Sequence, residues 1–183
     1  EQIYKHFQMP DYSKDSTIRF SKKANTTLKK QKDKLSKKTK EIINFMIAKR
    51  EEIVKHVYNF KIDSSVYLPV AVKRLINNVK NNLHIKDNYF IDITPLDVYN
   101  KIDDLIEELH ITDKIKPTEL FKALLYYYLS PTQLLLQHRF SKKAVEILIE
   151  KIIFAYKKAI VHPGEMVGMI AAQSIGEPTT QMT

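Results

Sequence analysis

Glycine constrains this chain more than any other residue. Its 183 residues contain three, Gly164, Gly168 and Gly176, all within the last twenty; an average chain of this length carries about 13. A stretch of 163 residues without one reads as helices joined by loops that need no left-handed backbone. The C-terminal stretch then demands glycine, for a positive φ or for close approach of another backbone. The expectation is an all-α fold whose unusual requirements are concentrated at 164–176.

Apolar spacing agrees. Residues 28–58 carry Leu28, Leu35, Ile42, Ile43, Met46, Ile47, Ile53, Val54, Val57 and Tyr58 with no glycine or proline. This predicts one long helix, thinly apolar in its first half and fully striped in its second. Such a helix is expected to project at its N-terminal end and pack at its C-terminal end. Pro69, Pro95, Pro117 and Pro131 stand where first helical residues belong, because proline has no N–H to lose there. Thr94 and Ser130 precede two of them as N-caps. Helices are thus expected over 69–83, 95–109, 118–129 and 131–138, and Ser141 caps a last long one to about 161. Residues 85–93 read as loop, and residues 1–27 as a loop or pendant arm.

Composition excludes several functions. There is no cysteine, hence no disulfide framework, no Cys-ligated metal and no thiol nucleophile. No apolar run approaches the roughly 20 residues that span a bilayer, and no leader-like segment opens the chain. No membrane partner is expected, and the chain reads as soluble and intracellular. The six histidines (His6, His56, His84, His110, His138, His162) include no pair four apart, so no metal site is expected. Tyr126, Tyr127 and Tyr128 point three ways around a helix and read as packing with exposed hydroxyls.

The net charge of +9 is confined. Residues 21–50 hold Lys22, Lys23, Lys29, Lys30, Lys32, Lys34, Lys37, Lys38, Lys40, Lys49 and Arg50 against Asp33 and Glu41, and the rest of the chain balances. Phosphate contact is one reading, a solvated helix face the other. The solvated face is preferred, because residues 21–41 lack aromatics for stacking and lysine dominates over arginine, the bidentate base reader.

Residues 161–183 read VHPGEMVGMIAAQSIGEPTTQMT. His162, Pro163 and Gly164 end the preceding helix, and Glu165 opens a new one at its positive end. Gly168, Ala171, Ala172 and Ser174 make that helix small-sided. Gly176, Glu177 and Pro178 are expected to turn the chain, with Thr179, Thr180 and Gln181 starting another helix. Glu165 and Glu177 could be taken as an acid/base pair, but helix placement and turn chemistry explain them better.

The run from Pro163 to Thr183 resembles, almost residue for residue, the segment of the largest subunit of multisubunit DNA-dependent RNA polymerases that leads into the trigger loop. HPGEMVG resembles the eukaryotic type, RNA polymerase II included. LPVAVKRLINNVKNNLHI is similar to the family's Leu-Pro stretch, with Arg74 and Asn78 matching. HRFSKKAVEILIEKI is similar to the helix before the motif, with Arg139 and Lys142 matching.

The resemblance implies a piece of a subunit: a helical foot-like region at 28–160 and a cleft segment at 161–183. It implies that Pro163, Gly164, Glu165, Gly168, Ala171, Ala172, Gln173, Ser174, Gly176, Glu177 and Pro178 anchor the trigger loop beside the bridge helix. Gln181 matches the glutamine that contacts the nucleotide sugar. The family's Leu-Asn-Thr-x-His run and Asp-x-Asp-x-Asp cluster do not occur here. No catalytic residue is therefore expected in this piece, which alone would be inactive, and the Mg2+ of the assembled enzyme would be ligated outside it.

Implied partners are the rest of the largest subunit, the second-largest and small polymerase subunits, DNA template, RNA and nucleoside triphosphates. The implied compartment is the nucleus, or the virion and host cytoplasm for a large DNA virus, toward which the Lys, Ile and Asn bias leans. The competing expectation is a free-standing basic helical module that binds nucleic acid without catalysis.

Overall fold

Four helices begin where a hydroxyl side chain can cap them. In a computed structural model, which describes residues 2–7, 20–61, 65–85, 90–112 and 115–181 and not the side chains of Lys22 and Gln181, Ser21 accepts from the Ala24 N–H at 3.2 Å. Thr94 accepts from Asp97 N at 3.3 Å and donates to its carboxylate at 2.6 Å, with Pro95 opening the helix. Thr118 accepts from Phe121 N at 3.3 Å, and Ser141 from Ala144 N at 3.4 Å. Each such cap is worth about 1 kcal/mol.

The helices are α1 (Gln2–Phe7), α2 (Lys22–His56), α3 (Val72–Asn82), α4 (Pro95–Glu108), α5 (Glu119–Tyr128), α6 (Lys142–Lys158) and α7 (Val167–Gln181), with a π-helical turn at Thr132–Gln137. No strand occurs among the described residues, only the isolated bridges Phe20–Ile91 and Thr112–Ile115. The fold is all-α.

One core joins α1 through α6. Val98, Tyr99, Ile102 and Leu105 of α4 meet Phe121 and Leu125 of α5 and Leu148 and Ile152 of α6. Helix α3 packs on α6 through Val72, Ile76 and Val79, and α2 lies across α4 and α5. At about 1.5 Å per residue α2 is roughly 52 Å long.

Several expectations are corrected. Residues 1–27 are not a free arm where described: α1 buries Phe7, Phe20 bridges to Ile91, and α2 begins at Lys22. Burial along α2 also departs from expectation. Ala24 is buried near its start and Ile42 and Ile43 at its middle, whereas Ile47, Val54 and Val57 toward its end are exposed; α1, α4 and α5 all pack on this helix. Pro69 lies before α3 and Pro117 before the cap Thr118, rather than inside helices. Ser130 does not cap; its hydroxyl meets His6 Nε2 at 3.2 Å and Thr132 Oγ1 at 3.0 Å.

The loops do use left-handed backbone after all. Asn59, Phe60, His84 and Arg139 have φ between 47° and 58°, at a cost of about 1–2 kcal/mol for a residue with a Cβ. At the end of α2 the geometry recovers hydrogen bonds, with Phe60 N donating to Val54 O at 3.2 Å and Tyr58 N to Ile53 O at 3.3 Å. Absence of glycine thus identified helices correctly but not the shape of the turns between them.

Candidate functional site

The chain leaves α6 through a tight turn. Gly164 adopts φ +89°, which explains one of the three glycines by conformation. Glu165 N donates to His162 O at 3.2 Å and Val167 N to Glu165 O at 2.9 Å, leading into α7. Gly168 and Gly176 lie inside that helix, so conformation does not account for them. A Cβ built on either meets no described atom within 4 Å beyond its chain neighbours and its own helix backbone, so no contact among the described residues accounts for them either. Every residue from 161 to 180 is exposed.

Helix α7 is also apolar in the wrong places for a solvated helix. Met166, Val167, Met169, Ile170 and Ile175 are between 51% and 72% exposed. Residues 166–176 carry no charge, and an uncharged helix that is apolar around its circumference belongs in a buried setting. Gly168, Ala172 and Gly176 recur four apart, which places them in one stripe along the helix.

Expectation and structure part at Gly176, Glu177 and Pro178. These do not turn the chain; α7 runs through them to Gln181. Pro178 has no N–H to offer the Ser174 carbonyl and its ring crowds the preceding turn. Hydroxyls around the proline donate to neighbouring carbonyls of the helix instead. Ser174 donates to Ile170 O at 2.8 Å, Thr179 to Ile175 O at 2.8 Å, and Thr180 to Glu177 O at 3.0 Å. Such back-bonding accompanies bent helices.

The sequence-derived anchoring residues are all together on this segment. Pro163, Gly164 and Glu165 form the turn before α7, and Gly168, Ala171, Ala172, Gln173, Ser174, Gly176, Glu177 and Pro178 lie on it. Gln181 is its last residue, and its side chain lies outside the described set. Glu165 and Glu177 are twelve residues apart, about 18 Å at helical rise, too far to act as an acid/base pair.

Elsewhere polar groups serve packing. Tyr126 donates to Asp103 at 2.7 Å, and Asp103 is held by Lys38 at 2.6 Å, so this tyrosine's hydroxyl is not free as expected. Burial and the Asp103 carboxylate push its pKa up. Lys49 bridges Glu52 at 2.8 Å and Glu119 at 3.7 Å. His6 stacks on Tyr127 with centroids 4.0 Å apart and reaches the Tyr127 carbonyl at 2.9 Å. Burial lowers the His138 pKa, with Lys80 adding to it. Sequence reasoning missed the Lys38–Asp103–Tyr126 set, whose members are far apart in the chain and carry no local pattern.

The family model for RNA polymerase Rpb1, domain 6, matches residues 1–159. The chain belongs to that family and is part of the largest subunit of a DNA-directed RNA polymerase. Of the two expectations, the polymerase piece stands and the free-standing module loses its ground. The matched residues cover α1 to α6 and stop before the α7 segment.

Proposed function

We propose that residues 161–183 lead into the trigger loop, and that α7 anchors it by seating its small stripe on another element of the assembled polymerase, the bridge helix of this family. The observation that carries this is the pair Gly168 and Gly176, two glycines inside a helix at which an added Cβ would meet no described atom within 4 Å beyond the helix itself. No described side chain of 161–180 is buried by the body from α1 to α6, so on this reading the neighbour of α7 is external. HPGEMVG makes the subunit eukaryotic-type, working in the nucleus or, for a virus, in virion and host cytoplasm.

On this reading the segment contributes positioning, not bond-making chemistry. A closing loop orients the incoming nucleoside triphosphate and excludes water. Gln181 contacts the nucleotide sugar, where a carboxamide can both donate to and accept from a hydroxyl. Mg2+ in the assembly supplies charge stabilisation for nucleotidyl transfer. On this reading its ligands lie outside this piece. The second-largest and small subunits, template DNA and RNA meet this segment through the assembly.

The test is Gly168→Leu in the assembled polymerase, with Met169→Leu as the neighbour control. The expected result is normal incorporation of the subunit and elongation slowed at least tenfold in the first variant alone. Normal elongation by Gly168→Leu overturns the reading. Gln181→Ala should raise KM for nucleoside triphosphates more than it lowers template binding.

A further inference from the structure

The basic helix is left unexplained by the trigger-loop reading. In the structure the lysines of α2 divide into two sets. Those facing the body find carboxylates: Lys38 with Asp103, and Lys49 with Glu52 and Glu119. Lys23, Lys29, Lys30, Lys32, Lys34, Lys37 and Lys40 are exposed, and among the described residues none of them forms an ion pair. The body therefore supplies acid where α2 packs on it and none where α2 faces outward.

The outward set is ordered. At 3.6 residues per turn, Lys23, Lys30, Lys34 and Lys37 fall within about 60° of one another, in a file roughly 21 Å long. The buried Ala24 and Ile42, with the partly buried Leu28 and Leu35, mark the opposite side. Lys29 and Lys40 lie to one side of the file, and Lys32 lies across the helix from it. Asp33 lies between the two groups and Glu41 ends the file, both without an ion pair among the described residues. Neighbours three and four apart, Lys34 with Lys37 and Lys30 with Lys34, repel by about 0.2–0.5 kcal/mol each, a cost that an anionic partner removes.

We propose that this file of α2 contacts the phosphate backbone of a double-stranded nucleic acid, independently of sequence. The residue types select that partner. Between Lys23 and Glu41 the exposed side chains are lysines with Asn25, Thr26, Asp33, Ser36 and Glu41, none of them apolar, and at 3.6 residues per turn Asn25 falls across the helix from the file. A protein interface core depletes lysine and needs aromatic, Met or Arg anchors. Single strands are held by stacking on aromatics, and base edges are read chiefly by arginine, asparagine and glutamine. A file of lysines without such a reader beside it keeps the phosphate contact, which rests on counterion release. The preference for a solvated face rested on missing aromatics and arginine; those absences exclude base recognition and leave backbone contact intact.

The experiment measures binding of the 183-residue chain, which carries its own core, to labelled 20-base-pair DNA and RNA duplexes, single strands and a polyglutamate peptide, from 50 to 200 mM salt. Four phosphate contacts give a log–log salt slope of about −3.6 and an affinity loss of roughly 10²-fold over that range. The quadruple variant K23Q/K30Q/K34Q/K37Q should lose most of the slope, while K73Q/K116Q/K143Q/K158Q, the same change in net charge at exposed lysines elsewhere, should keep it. Arginine at the four file positions should restore binding, and far-UV circular dichroism should show α2 intact in every variant. Equal loss in both glutamine quadruples, tighter binding of single strands or polyglutamate, or no duplex binding at 50 mM salt each overturns the proposal. None of these outcomes depends on α7, so this proposal and the trigger-loop reading fail separately.

Discussion

Helices α6 and α7 follow one another in the chain and are 17 and 15 residues long, yet they are built for different neighbours. Ala144, Val145, Leu148, Ile152 and Tyr156 of α6 are buried by α3 and α4 of the same chain. On α7 no described side chain is buried. The stripe of α6 consists mostly of large side chains that fill space themselves. The stripe of α7 consists of residues that leave space. The first helix is stabilised by packing within the chain; the second has no buried side chain among the described residues, and under the proposed function its packing comes with assembly.

The largest effect that tests this contrast is truncation of each stripe. Leu148 is fully buried, and Leu148→Ala should destabilise the chain by about 3 kcal/mol through lost burial and a residual cavity. Ile175 is 72% exposed, and Ile175→Ala should change stability by less than about 0.5 kcal/mol. Urea denaturation midpoints at constant slope measure both. Comparable losses from the two substitutions would break the comparison.

A smaller effect comes with alkali. Burial pushes the Tyr99 hydroxyl up to about 12, against about 10 when unfolded. Between those values the unfolded chain binds fewer protons, so stability is fully present below pH 10 and is lost as pH rises toward 12. Two pH units correspond to about 2–3 kcal/mol as an upper bound. Tyr99→Phe should flatten that limb, and deletion of α7, which carries neither His nor Tyr, should leave it unchanged. The acid limb has the opposite sign. His138 is held below its usual value by burial, so its contribution is present above about pH 6.5 and is lost as pH falls.

Polar contacts in the body come next. Asp103→Ala strands both Lys38 and Tyr126. The ion pair is only about two-thirds buried, with side-chain exposures of 28% and 31%, so solvent screening limits the loss to about 1–2 kcal/mol. Tyr126→Phe should cost about 1 kcal/mol. Adding the two changes should not double the effect, because they remove the same interaction.

Legibility in the sequence followed the range of the forces involved. Thr94 with Pro95 and Ser141 announced their helices because a cap acts over three residues, whereas the cap Thr118 was passed over for Pro117. The apolar stripe of α6 was readable because it repeats. Helix α1 was not: six residues have no stability of their own, and this helix exists because His6 and Phe7 dock at the end of α5, more than a hundred residues away. The π-helical turn at Thr132–Gln137 leaves no compositional trace. The thin first half of α2 reads as projecting because so few apolar residues suggest no neighbour, yet Ala24 is buried there and Leu28 and Leu35 are partly buried against the core. Of the candidate site, the small residues were visible and their unfilled surroundings were not, since an empty neighbourhood has no sequence signature.

Pro178 gives the smallest effect on global stability and the most direct reading of α7. A proline inside a helix costs about 3 kcal/mol relative to alanine, and Pro178→Ala restores an N–H that can reach the Ser174 carbonyl. In the core this would move the unfolding midpoint by several degrees. No described side chain of α7 is buried, so its gain should stay local. Amide hydrogens near the end of α7 should exchange more slowly, while the urea midpoint of the body stays within about 0.5 kcal/mol of the unsubstituted chain. A global shift would mean that α7 is coupled to the body and that its exposed stripe is already satisfied. In the assembled polymerase the same substitution should have a different consequence. A helix made to persist past Pro178 should hold Gln181 in one position, so nucleotide addition should slow even though the chain has become locally more stable.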